Sequence, residues 1–127
     1  MSKKLIFLEL NEINFDLLKK YSEDKNFKFF DENFFKNLKI TQSENEISKL
    51  EPWIQWVSIH TGLDAHNHKI FRLGEINNYN SEQIFEKIES KGYSVGAICP
   101  MNANNKLSNS SSFLYGMGEF FDELDNL

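Results

Sequence analysis

A chain of 127 residues has room for one modest hydrophobic core, and its 14% aromatic content, dominated by 12 Phe, gives that core bulk. A net charge of −5 argues against a nucleic-acid partner, whose phosphates repel acidic surfaces, and no stretch is long and apolar enough to cross a membrane. The single cysteine, Cys99, excludes an internal disulfide and fits a reducing compartment, so a cytoplasmic location is expected.

Lys3 and Lys4 precede only a short apolar run, 5–8, before Glu9, which is too little for a signal peptide. Residues 5–10, LIFLEL, predict a parallel strand covered on both faces. Asn11 offers a helix cap. Ile13, Leu17 and Tyr21, with Leu18 beside them, predict an amphipathic helix from 12 to about 21. Strand, polar turn and helix open an α/β unit, in which ligands gather at the carboxyl ends of the strands. Glu9, Asn11, Glu12 and Asn14 lie on that rim, either as ligand-binding groups or, for Asn11 and Glu12, as a plain cap and a dipole complement. Phe27, Phe30, Phe34 and Leu38 predict a second helix with a core-facing stripe. Residues 38–41 predict a short strand and 42–49 a loop.

The centre of the chain holds both tryptophans, all three histidines and the one arginine. Pro52 suits the first position of a helix and Gly62 the left-handed position after its end. Between them Trp53, Ile54, Trp56, Val57 and Ile59 leave only a narrow polar stripe, which predicts a buried helix. Its N-terminus, bearing Glu51, is a dipole-positive end that favours anions. In the polar loop 64–69, His66 and His68 are a metal-ligand pair if the backbone is extended, or else exposed loop histidines. Arg72 is either an oxyanion clamp or an ion-pair partner. Ser81 predicts the cap of a third helix that stops at Gly92. Residues 93–99 predict a second strand with Cys99 as a small core residue, and 100–105 a turn-rich loop at its carboxyl end. From Lys106 the pattern fades. The expected fold is α/β, a partial parallel sheet of about three strands flanked by helices within one domain spanning 1–127. Its uncovered sheet edges invite oligomer formation.

The segment at 58–70, SIHTGLDAHNHKI, resembles the pattern S-x-x-T-G-x-x-P-x-x-H-G-I of the alkaline phosphatase and sulfatase superfamily, in its type I phosphodiesterase/nucleotide pyrophosphatase branch. Residues 4–105 are similar to the N-terminal part of that fold, with 92–98 like its next strand. The resemblance implies a phosphoric or sulfuric ester hydrolase with a divalent metal cofactor, Zn or Mn/Mg, and a small anionic ester or phosphate-containing ligand. It places Asn11 at the family's metal-binding aspartate, with Glu12 next to it as a metal ligand. The family's nucleophile, Thr or Ser, lies six residues before the serine, and here that position is Pro52. Glu51 is the nearest reactive group and the catalytic candidate, as ligand or base. Ala65 and Lys69 replace the family's Pro and Gly. The reaction needs an activated hydroxyl and two metal ions about 4 Å apart with several ligands. The expectation is therefore an N-terminal portion or shortened version of such a hydrolase, not catalytically complete by itself. The alternative is a non-catalytic α/β module binding an anionic small molecule or a protein.

Overall fold

A computed structural model describes residues 4–25, 32–108 and 113–114. The chain divides into two compact units, Met1–Gln42 and Ser43–Leu127.

In the first unit, residues 4–10 lie outside any helix or strand and turn at Asn11 and Glu12. Helix α1 spans Phe15–Lys25. Its cap is Asn14, not Asn11: Asn14 Oδ1 accepts the Leu17 N–H at 2.9 Å, and its carbonyl accepts that of Leu18 at 2.9 Å. Glu12 has a φ of 55°, a left-handed backbone that turns the chain before the helix begins. Helix α2 spans Glu32–Asn37, where Phe34 and Phe35 meet edge to face at 5.4 Å. Phe27 and Phe30 of the expected stripe lie outside the described residues. Residues 38–41 form no strand, and Ile40 is 98% exposed.

The second unit is built on α3, Pro52–Thr61, with the boundaries that Pro52 and Gly62 predict. Gly62 has a φ of 74°, and its N–H donates to the Ser58 carbonyl at 2.8 Å, closing the last turn. A methyl group at Gly62 would meet nothing within 4 Å, so Gly62→Ala isolates backbone strain. It is expected to cost about 1 kcal/mol in chemical denaturation, with Gly62→Asn milder. The 3-10 turn Ile47–Lys49 precedes α3, and α4, Ala65–His68, follows it. Asp64 starts α4 by accepting the Asn67 N–H at 2.9 Å. After the 3-10 turn Glu75–Asn78 comes α5, Ile84–Glu89, shorter than the sequence suggests and capped by Gln83 rather than Ser81. Gln83 and Glu86 form a reciprocal capping box.

Two apolar clusters fill this unit. Val57, Ile70 and Ile76 pack together with Tyr79 against them. Phe85, Ala97, Ala103 and Leu107 form the other, flanked by Ile84 and Val95. His60 is buried on α3, stacked at 6.0 Å on Trp56 and tilted against Phe85 at 5.2 Å. The helix is therefore less uniformly apolar in its burial than its sequence suggests: His60 and Thr61 are buried while Ile59 is largely exposed.

The α/β expectation is overturned. The described residues are mainly helical, and their strand content is one parallel pair, β1 (Ala97–Ile98) with β2 (Phe113–Leu114). No parallel sheet of about three strands is found among them, and the expected opening strand at 5–10 has no ladder. Apolar, β-favouring residues make a segment suitable for a strand, but pairing requires a partner edge and a crossover that the segment does not encode. Tyr93 and Ile98 are correspondingly exposed. Cys99, expected inside that strand, is exposed with a φ of 47°.

Candidate functional site

The turn between α3 and α4 is a small network of polar side chains, and it carries the segment singled out by sequence. Ser58, on α3, places Oγ 3.1 Å from His68 Nε2, on α4. The other ring nitrogen, His68 Nδ1, accepts the Ile70 N–H at 3.0 Å. A backbone N–H can only donate, so Nδ1 carries no proton, and in the neutral ring the proton sits on Nε2. His68 therefore donates to Ser58 Oγ. Burial holds the imidazole below its ordinary range, against the pull of the Asp64 and Glu44 carboxylates, which keeps it neutral. This polarity is the reverse of what a general base needs to take a proton from a serine hydroxyl.

The neighbouring groups finish the turn. Thr61 Oγ1 donates to the Val57 carbonyl at 2.7 Å and accepts the Leu63 N–H at 3.2 Å. Glu44 Oε1 accepts the Ala65 N–H at 2.8 Å, satisfying a donor at the start of α4. Lys69 has a φ of 60°, the left-handed position that ends α4, and its N–H donates to the Ala65 carbonyl.

His66 and His68 part company because α4 is a helical turn rather than extended chain. His68 is buried, whereas His66 is exposed and its Nε2 accepts from Lys49 Nζ at 2.6 Å. They do not form a shared metal-binding face. Lys49 is itself buried and also donates to Glu46 Oε1 at 2.8 Å. That bond and the lysine charge hold the Glu46 carboxyl below its usual range.

Glu51 precedes α3 with an extended backbone, an exposed residue and no side-chain bond to the helix end. Its carbonyl accepts the N–H groups of Ile54 and Gln55 at 2.9 and 3.0 Å. Pro52 stands at the helix start, where it offers neither hydroxyl nor N–H. Asn11 and Glu12 adjoin each other, both exposed, in the turn of the first unit, whereas Glu51 belongs to the second. Among the described residues no group of three or more His, Cys, Asp or Glu side chains is placed to hold a metal ion. Arg72 is held through its backbone: its N–H donates to Glu75 Oε2 and its carbonyl accepts from Asn102.

Two residues that position this unit were not singled out by sequence. Asn102, fully buried at a φ of 48°, donates through Nδ2 to the carbonyls of Trp53 at 2.8 Å and Arg72 at 3.3 Å, and accepts the Gly74 N–H at 3.2 Å. Gln83, also fully buried, exchanges two hydrogen bonds with the backbone of Asn104. Asparagine's tolerance of left-handed backbone in a turn-rich loop was the available signal for Asn102.

Among the described residues no helix is long and apolar enough to cross a membrane. No protein-family pattern matches the chain, and no curated protein or solved structure is significantly similar to it.

Proposed function

We propose that the chain is a catalytically incomplete relative of the metal-dependent hydrolases of the alkaline phosphatase and sulfatase superfamily, in the form of an N-terminal portion or shortened version. The observation that supports this reading is the turn at 58–70. Each residue there that agrees with the superfamily pattern has a job in holding one shape: Ser58 and His68 bond across the turn, Thr61 closes the end of α3, Gly62 is left-handed, and Ile70 is buried in the core. The two departures stand at backbone positions of the pattern's kind, although a Pro at 65 would give up the N–H that Glu44 accepts. Ala65 is the first residue of α4, a position suited to Pro, and Lys69 has the left-handed backbone suited to Gly.

That backbone gives a direct prediction. Lys69→Gly is expected to raise stability by about 0.5–1 kcal/mol, by removing left-handed strain. Ala65→Pro is expected to lower it, because Glu44 loses the N–H it accepts. Thermal and denaturant melts of both variants check this. A destabilised Lys69→Gly would separate this turn from the superfamily's geometry.

Incompleteness rests on Pro52, which has no hydroxyl where the pattern places a nucleophile, and on Ser58, which is held as an acceptor by His68. In this reading Asn11 and Glu12 are remnants of the family's metal ligands, Glu51 stands in for its catalytic group, and binding of an anionic ester outlasts turnover. A cytoplasmic location belongs to the same proposal and rests on the single Cys99. The test combines two measurements on the whole chain with Zn, Mn or Mg present. Hydrolysis of an aryl phosphodiester and an aryl sulfate is expected to stay at background. Saturable thermal stabilisation by phosphate or sulfate is expected. Metal-dependent turnover would overturn the incompleteness, and indifference to both metals and anions would overturn the kinship.

A further inference from the structure

The 3-10 turn Ile47–Lys49 meets α4 through side chains whose protons fix their roles. Lys49 Nζ lies 2.6 Å from His66 Nε2 and 2.8 Å from Glu46 Oε1. An ammonium can only donate, so His66 Nε2 is the acceptor and the neutral ring carries its proton on Nδ1. His66 and His68, two residues apart on α4, are thus held in opposite tautomers. A third distance completes the group: Glu46 Oε1 is 3.7 Å from the same His66 Nε2. We propose that Lys49, Glu46 and His66 form a proton-operated link between the turn and α4, in which neutral His66 accepts from Lys49 and protonated His66 donates to Glu46 instead.

One ring nitrogen faces two groups of opposite charge. A proton on Nε2 fills the lone pair that Lys49 uses and sets two cations against each other at hydrogen-bonding distance. Glu46 is an acceptor already within reach. The side chains of His66 and Glu46 are 69% and 59% exposed, so both have room to turn, whereas Lys49 is buried. Glu46 stays ionised where histidines titrate, because the Lys49 bond and charge hold its carboxyl below the usual range. Other charged groups around α4 have their own places. Glu44 accepts the Ala65 N–H, Asp64 accepts from Asn67, Lys69 is exposed, and His68 turns to Ser58. The turn therefore keeps its tie to α4 through the titration but changes what carries it. At neutral pH the tie is a hydrogen bond from a buried ammonium; in acid it is an exposed ion pair that salt screens. The inference does not rest on the hydrolase reading.

Nitrogen-15 NMR of His66 and Lys49 in the whole chain, followed from about pH 8 to about pH 5, tests it. At the upper end His66 is expected to carry its proton on Nδ1 and to accept at Nε2. As the ring takes its second proton, the Lys49 Nζ signal is expected to move with the same midpoint. Glu46→Gln removes the group that holds the imidazolium, so His66 is expected to bind its proton about two- to fivefold more weakly. Lys49→Met removes the opposing cation and is expected to change proton binding about as much in the other direction. Glu46 is exposed, so Glu46→Gln and the wild-type chain decide the matter whatever Lys49→Met does to packing. A proton on Nε2 at the upper end, a Lys49 signal that ignores the His66 titration, or proton binding unchanged by Glu46→Gln would each overturn the proposal.

Discussion

Asn102→Ala is expected to destabilise the second unit by about 3 kcal/mol in chemical denaturation at neutral pH. The side chain ties the start of α3 to the segment 72–74, through Trp53, Arg72 and Gly74. Removing it leaves part-buried backbone groups without this partner, at about 1–3 kcal/mol for such a loss. Alanine also tolerates a φ of 48° less well than asparagine, which adds about 1 kcal/mol. Asn102→Gly separates the two causes. Glycine loses the same hydrogen bonds but accepts the backbone, so it is expected to be about 1 kcal/mol less damaging than alanine. Equal effects from the two substitutions would mean that the left-handed backbone costs nothing. A loss below about 0.5 kcal/mol in both would mean that Asn102 does not hold these segments together.

His68 gives the second large effect. Because burial lowers its folded-state pKa, the unfolded chain binds more protons wherever the two states differ, and stability rises with pH. The contribution is complete above the ordinary histidine value of about 6.5 and is lost as pH falls from there through the lower folded-state value. Protonation also places a proton on Nδ1, opposite the Ile70 N–H that it now accepts. A stability profile between about pH 7 and pH 5 is expected to fall for the wild type and to flatten for His68→Asn, which keeps an acceptor but cannot titrate there. His68→Ala is expected to cost about 2–3 kcal/mol at neutral pH, since both Ser58 and Ile70 lose a partner. A wild-type profile that does not fall below pH 6.5, or one that His68→Asn leaves unchanged, would contradict the neutral, buried assignment.

Local signals were legible in the sequence where one or two residues dictate backbone. Pro52 and Gly62 bound α3 because each fixes a conformation on its own. Gly92 likewise ends the turn after α5 with a φ of 83°. Asn11 and Asn14 are equally good caps by type, and the left-handed Glu12 decides between them by postponing the helix to Phe15. The segment 64–69 reads as a loop because α4 is a single turn, too short to show a period. Its start is written in Asp64 and Asn67, whose spacing gives a side-chain cap.

Non-local features were not legible. The segments at 5–10, 38–41 and 93–99 have the composition of strands, yet in the described residues only Ala97–Ile98 finds a ladder. Composition reports willingness to pair, and the partner decides. The same holds for the site. Ser58 and His68 were picked out by pattern, but the direction of their hydrogen bond follows from Ile70, whose N–H settles which nitrogen is protonated. Glu44 and Lys49, whose bonds reach Ala65 and His66, meet their partners only through folding.

The claim on which the account turns is that the hydrolase-like segment is a scaffold, with its histidine donating to its serine. Nitrogen-15 NMR of the imidazole in the whole chain at neutral pH reads the tautomer of His68 directly. A proton on Nε2 and a bare, hydrogen-bond-accepting Nδ1 are expected. A proton on Nδ1 with Nε2 free to accept from Ser58 would contradict the claim, and would return this pair to the list of groups able to act as base and nucleophile.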